Sequence, residues 1–130
     1  MKYSLNKKKK IIVLDHLKKY IDEFSKKNPN KIIKYYKLPV KIYDVKKYSL
    51  STKFSFLNYF NLVYFFLMQN KYKFTKIVNI DVKFDKKIYK VNLLAKRYFI
   101  LKKKQNLKLI YNVIFIKNKP KIIGFRVIYD

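Results

Sequence analysis

The chain has 130 residues, half of them hydrophobic, with 33 Lys and Arg against 7 Asp and Glu and a formal net charge of +26. That length suits one domain, which can bury roughly two-thirds of the surface its unfolded form exposes. Cys is absent, His16 is the only His and Gly124 the only Gly, which excludes disulfides, thiolate or His-rich metal sites, a thiol nucleophile and a glycine-rich phosphate loop.

The residue vocabulary is dominated by Lys, Ile, Asn, Phe and Tyr, whose codons are rich in A and T. Ala95 is the only Ala, and Arg97 and Arg126 are the only Arg. An AT-rich genome explains Lys over Arg and the many aromatics. It does not explain the excess of Lys over Asp and Glu, whose codons are nearly as AT-tolerant. Folding gathers these like charges, so the compact state repels itself. A nucleic-acid polyanion would relieve that repulsion and stabilise the folded form by linkage.

Taken in chain order, residues 1–10 end in Lys7-Lys8-Lys9-Lys10 and read as a basic N-terminal arm, ahead of a single domain over 11–130. They hold no apolar run with a small-residue cleavage site, and too little Arg and Ser for a transit peptide. Ile11 to Leu14 reads as a short buried strand bounded by Asp15, a good helix N-cap. Leu17, Tyr20, Ile21 and Phe24 then recur at helical spacing from His16 to Lys27, and Asn28-Pro29-Asn30 stops that helix. Residues 31–50 read as extended chain in which Pro39 marks an edge, bulge or bend. Ser51 or Thr52 can cap a helix over 54–69 that is apolar almost all round, apart from Ser55, Asn58 and Asn61. Its span of roughly 24 Å falls short of a hydrocarbon core of ~30 Å, so a buried helix, sandwiched by a sheet and a neighbour, is expected over a membrane helix.

From Lys71 the period becomes two. Tyr72, Phe74, Val78, Ile80, Val82 and Phe84 are assigned to one face, and Lys73, Thr75, Asn79, Asp81 and Lys83 to the other. Asp85-Lys86-Lys87 turns the chain into Ile88 to Leu94. Tyr98 to Leu101 reads as a further short strand, Leu107 to Phe115 alternates again, and Lys117 to Pro120 turns into a last strand, Lys121 to Tyr129. Gly124 within it marks a bulge or a close backbone approach. The fold class is therefore α+β: a single domain, strand–helix–strand–helix followed by an antiparallel sheet.

No catalytic residue, cofactor or metal is expected. Asp15 and His16 are adjacent, so their side chains diverge, and geometry rather than adjacency makes an acid–base pair. His16 is assigned a polar surface or RNA contact. The basic clusters carry the functional signal: Lys7, Lys8, Lys9 and Lys10; Lys46 and Lys47; Lys96 and Arg97; Lys102, Lys103 and Lys104; with Lys41, Lys53 and Arg126. Lys acts as a point charge on phosphate, while Arg can stack or bind it bidentately. Tyr35, Tyr36 and Tyr48, interleaved with Lys, are candidates for stacking unpaired bases.

This small, Lys-rich, Gly-poor composition resembles organelle-encoded ribosomal proteins of AT-rich mitochondria. Leu38-Pro39-Val40-Lys41 followed by Tyr48-Ser49-Leu50-Ser51 is similar to a stretch of the tenth small-subunit ribosomal protein family. The chain departs from that family in the longer gap, in a longer C-terminal half, and at Ser51-Thr52-Lys53, where the family has Ser-Pro-His. The resemblance implies a structural constituent of the mitochondrial ribosome, made and used in the matrix, that is not an enzyme and takes no small-molecule substrate. Its partners would be ribosomal RNA and neighbouring ribosomal proteins, with Leu38 to Lys53 touching rRNA in the small-subunit head. Two alternatives share the composition: an accessory subunit of a mitochondrial membrane complex anchored by 54–69, and a nucleoid DNA-binding protein.

Overall fold

The computed structural model describes residues 2–129, with side chains from Lys7 to Tyr129. The chain opens with α1 (Lys2–Ser25) and continues through α2 (Pro29–Ile32), a 3-10 turn (Ile33–Tyr35), β1 (Tyr36–Asp44), β2 (Lys46–Leu50) and α3 (Lys53–Gln69). Four long strands follow: β3 (Tyr72–Asp85), β4 (Ile88–Phe99), β5 (Gln105–Ile116) and β6 (Lys119–Tyr129). They form one six-stranded sheet in the order β2-β1-β6-β5-β4-β3, antiparallel throughout except for the parallel pair of β1 with β6.

The α+β class and the single sheet-and-helix core are as expected, but the element order is not: the domain begins with a helix. Ile11 to Leu14 is helical, and from Lys2 onward the residues expected as an arm are the first turns of α1. The reason is periodicity. Of those four apolar residues Val13 is fully buried, four residues before Leu17 and seven before Tyr20, while Ile11 and Ile12 are exposed. A run of four apolar residues cannot by itself separate strand from helix. Asp15 consequently lies inside the helix rather than at its cap, exposed and paired with Lys19 one turn later at 3.0 Å.

Helix α3 starts where the sequence indicated. The Thr52 hydroxyl accepts from the Ser55 backbone N–H and the Ser55 hydroxyl accepts from the Thr52 N–H, both at 3.1 Å, a reciprocal capping box. Its burial is one-sided, in contrast to the sandwiched helix expected. Phe56, Phe60, Tyr64 and Leu67 face the core, while Phe54, Leu62, Phe65 and Phe66 are exposed. Among the described residues no helix is long and apolar enough to cross a membrane.

Helices α1 and α3 cover one face of the sheet, and the core lies between. Alternate residues Val91, Leu93 and Ala95 of β4, Leu107, Leu109, Tyr111 and Val113 of β5, and Val40 and Ile42 of β1 are buried there. Two irregularities in the pairing of β3 with β4, between Tyr72 and Phe74 and between Ile77 and Asn79, reset its alternation. Thr75, assigned to the solvent face, is therefore buried, whereas Phe74 and Val78 are exposed. β4 runs unbroken to Phe99 and absorbs the separate strand expected over Tyr98 to Leu101. Both turns between long strands use two residues of positive φ, Lys86 with Lys87 and Lys117 with Asn118, as tight hairpins require. Pro39 falls where the pairing of β1 with β6 shifts register, between Tyr36 and Lys41.

Candidate functional site

Three strand ends converge beneath α3. Asp44 closes β1, Arg97 stands near the end of β4, and Tyr129 closes β6. Strand alternation brings them inward. Asp44 follows Val40 and Ile42 at spacing two, Arg97 follows Val91, Leu93 and Ala95, and Tyr129 follows Phe125 and Val127. These polar residues thus continue the buried rows past the rim of the core.

The Asp44 carboxylate anchors the cluster. Its Oδ1 accepts from the Tyr129 hydroxyl at 2.8 Å and its Oδ2 from the Tyr59 hydroxyl of α3 at 3.2 Å. Burial raises the Tyr59 phenol well above its ordinary pKa, and the Asp44 charge raises it further. Tyr129 is raised by burial and by its hydrogen bond to Asp44. Both phenols are therefore neutral donors at physiological pH. The Arg97 side chain stands beside the Tyr129 hydroxyl, yet its Nε is buried with no hydrogen-bond partner. Leaving such a group unpaired costs about 1–3 kcal/mol, and more when it carries charge.

These residues divide a small inner chamber from a larger vestibule. The chamber, about 30 Å³, is lined by Tyr20, Phe24, Thr75 and Tyr111 together with Asp44, Tyr59 and Arg97. It has room for a water and little else. The vestibule outside it, about 390 Å³, shares Asp44, Tyr59 and Arg97 as its floor. Its walls are Leu62, Val63, Phe66, Leu67 and Phe99, with Tyr48, Lys102 and Gln105 also lining it. An apolar cavity of a few hundred cubic ångströms with a few converging polar groups has the form of a small-ligand site. Among the described residues no three His, Asp or Glu side chains gather as a metal ion would need.

Deeper in the core, hydroxyls pair with one another. Tyr36 donates to Tyr20, Tyr72 bonds Thr75, and Tyr64 donates to the Phe24 carbonyl at 2.7 Å. Burial holds Tyr20 and Tyr36 far above the ordinary phenol pKa.

The residues singled out for RNA are dispersed. Lys7, Lys8, Lys9 and Lys10 lie on α1, Lys9 with its Nζ 5.3 Å from the Phe115 ring centre. Lys46 and Lys47 lie on edge strand β2, Lys53 begins α3, and Lys103 and Lys104 are in the β4–β5 loop. Lys96 is on the outer face of β4. Lys41, Lys47 and Arg126 do come together, around Tyr43 on the outer sheet face, where Arg126 is 5.2 Å and Lys47 5.6 Å from the ring centre. Arg97 and Lys102 instead face the vestibule. Tyr36 is not a stacking platform: it is buried edge-on against Phe56. Tyr35 packs on His16 and Tyr20, and His16 Nε2 bonds the Tyr35 carbonyl at 3.1 Å rather than standing free on the surface.

No family model and no curated protein match the sequence. The fold, however, is found in solved structures. A scytalone dehydratase-like protein from Novosphingobium aromaticivorans superposes with a TM-score of 0.72 at 10% identity, over 98% of this chain and 88% of that one. The beta subunit of benzoate 1,2-dioxygenase from Burkholderia mallei gives 0.67 at 11% identity, over 91% and 88%. An NTF2-like protein of Shewanella baltica gives 0.59 at 12% identity, over 95% and 94%. The chain therefore has the NTF2-like fold.

This overturns the expectation of a ribosomal, rRNA-binding protein. The charge argument took the total as the message, whereas of the basic clusters only Arg97 and Lys102 line the pocket. The alternative of a subunit anchored in a membrane by 54–69 loses its support, since Lys53–Gln69 is a helix buried on one side against the core, and the nucleoid alternative rested on the same total-charge argument. The exclusion of enzymes rested on the scarcity of acid–base pairs, and it loses that support. A carboxylate, two phenols and a guanidinium share one pocket, and a dehydratase-like protein shares the fold.

Proposed function

We propose that the chain binds a small, largely apolar molecule in the vestibule between α3 and the ends of β1, β4 and β6. The observation that carries this reading is the cavity of about 390 Å³ with apolar walls and the Asp44–Tyr59–Tyr129–Arg97 floor. Such a volume admits a molecule of one or two rings. Phe66, Phe99 and Val63 supply contact area, and the floor orients the polar end. Binding is favoured over turnover because Asp44 is already committed to holding Tyr59 and Tyr129, which fixes the floor in place.

The test is titration with 2-naphthamide and 2-naphthoate, followed by their fluorescence. Saturable binding is expected in the wild type. Val63→Phe, which fills the vestibule, is expected to weaken it at least about tenfold, while Leu94→Phe on the exposed outer sheet face leaves it unchanged. Equal binding by Val63→Phe and the wild type would place the ligand elsewhere and refute the reading.

A further inference from the structure

We propose that the vestibule selects an anion: an apolar molecule of one or two rings bearing a carboxylate, received by the Arg97 guanidinium. This rests on the binding reading above and adds the charge of the ligand. Arg97 Nε is buried without an acceptor among the described residues. Asp44 does not supply one. Its two oxygens hold Tyr129 and Tyr59, and the ion pair found among the described residues is Lys19 with Asp15, on the exposed side of α1. A guanidinium offers parallel N–H groups that match the two oxygens of a carboxylate, and the Nε edge is one such pair. Arg97 lines both the small inner chamber and the vestibule, so a ligand oxygen in the vestibule lies within the same lining as this group.

The surrounding charges agree. Lys102 lines the vestibule beside Arg97, held with its Nζ 4.4 Å from the Phe99 ring centre, and Gln105 adds a neutral donor. Asp44 opposes an anion, but Arg97 and Lys102 outnumber it in the vestibule lining. A cationic ligand would meet both positive groups, and a neutral one, such as an amide, offers the guanidinium a single carbonyl oxygen without the opposite charge. The net charge of +26 acts in the same direction from farther away, raising the local concentration of any small anion. That general attraction is not selective, and a test has to separate it from Arg97.

2-Naphthoate and 2-naphthamide have nearly the same shape and differ in charge. Wild-type protein is expected to bind the acid at least about tenfold more tightly than the amide. Arg97→Gln should abolish that preference, the acid losing at least about tenfold more affinity than the amide, whereas Lys86→Gln, in the distant β3–β4 turn, should keep it. Because Arg97 makes no ion pair among the described residues, its replacement is expected to leave the melting temperature within a few degrees. Equal binding of acid and amide by the wild type would overturn the anion inference and leave the binding reading standing. A preference surviving in Arg97→Gln would likewise overturn it, by assigning the effect to the general field. Failure of both probes to bind the wild type would sink both readings together.

Discussion

Gly124→Ala tests the strand pair that holds the floor of the vestibule. Gly124 of β6 lies opposite Lys41 in the parallel pair. A Cβ built on it would stand 2.8 Å from the Lys41 carbonyl oxygen. Even close C–H···O contacts in sheets sit at about 3.3–3.6 Å, so the strands must part by roughly half an ångström. The obstacle is backbone in a strand flanked on both sides, by β2 and β6, and cannot swing aside. Gly124 has no positive φ, so alanine itself fits the local backbone. That alone would stabilise by about 0.4–1 kcal/mol through the unfolded state. Overpacking of this kind costs about 1–3 kcal/mol, and mid-range values of the two effects leave a net loss of about 1 kcal/mol. With a urea dependence of about 1–3 kcal/mol per molar, the unfolding midpoint should fall by about 0.3–1 M at unchanged slope. Naphthamide binding should weaken too, since Asp44 is three residues beyond Lys41 and Tyr129 five beyond Gly124. A midpoint equal to or above that of the wild type would refute the close-approach argument.

The buried pair of Tyr20 and Tyr36 predicts non-additive stability. Either single change to Phe leaves the other hydroxyl without its partner in the core, at about 1–3 kcal/mol, while the double change removes both groups and should cost less than the sum of the singles. Strict additivity in a urea double-mutant cycle would refute the pairing. A second consequence concerns alkaline pH. Burial raises Tyr20, Tyr36 and Tyr111 in the folded state, so the unfolded chain releases these protons first, near pH 10. Their contribution to stability is complete below that value and falls as pH rises above it. The tyrosinate absorbance of these three should therefore appear together with loss of helix in circular dichroism. A full tyrosinate signal in a chain that remains helical would refute the buried assignments.

Much of the floor was readable from alternation alone. Val40, Ile42 and Asp44 share a period of two, as do Val91, Leu93, Ala95 and Arg97. A carboxylate and a guanidinium closing two such rows mark charges directed toward the core. Reading 31–50 only as extended chain passed over Asp44, and grouping Arg97 with Lys96 as one basic cluster put an inward and an outward residue on the same surface. A cap at Ser51 or Thr52, the turns at Lys86-Lys87 and Lys117-Asn118 and a bulge or close approach at Gly124 were legible because each depends on a few adjacent residues. The irregularities in β3 were not, because they are properties of its pairing with β4 and have no local residue signature, so Thr75 was placed on the wrong face. The opening strand was misassigned for a related reason: Val13 declares itself helical only in phase with Leu17 and Tyr20, across the supposed cap at Asp15.

The charge teaches a different lesson about inference. A total of +26 is a sum over the whole surface, and it predicts solubility, self-repulsion and the sign of attracted ions. It does not say where recognition happens. Most of the Lys residues project from helix surfaces, strand edges and loops, where water screens them. Arg97 is one charge among 33 Lys and Arg, yet it is the one whose buried Nε lacks a partner at a pocket with a carboxylate already engaged. An ammonium in solvent has its hydration to lose on binding an anion. A guanidinium edge already out of water has much less to lose, so a single placed charge can contribute more selectivity than many dispersed ones. The acid-against-amide comparison weighs these two contributions directly, because Arg97→Gln removes the placed charge and leaves nearly all of the dispersed charge intact.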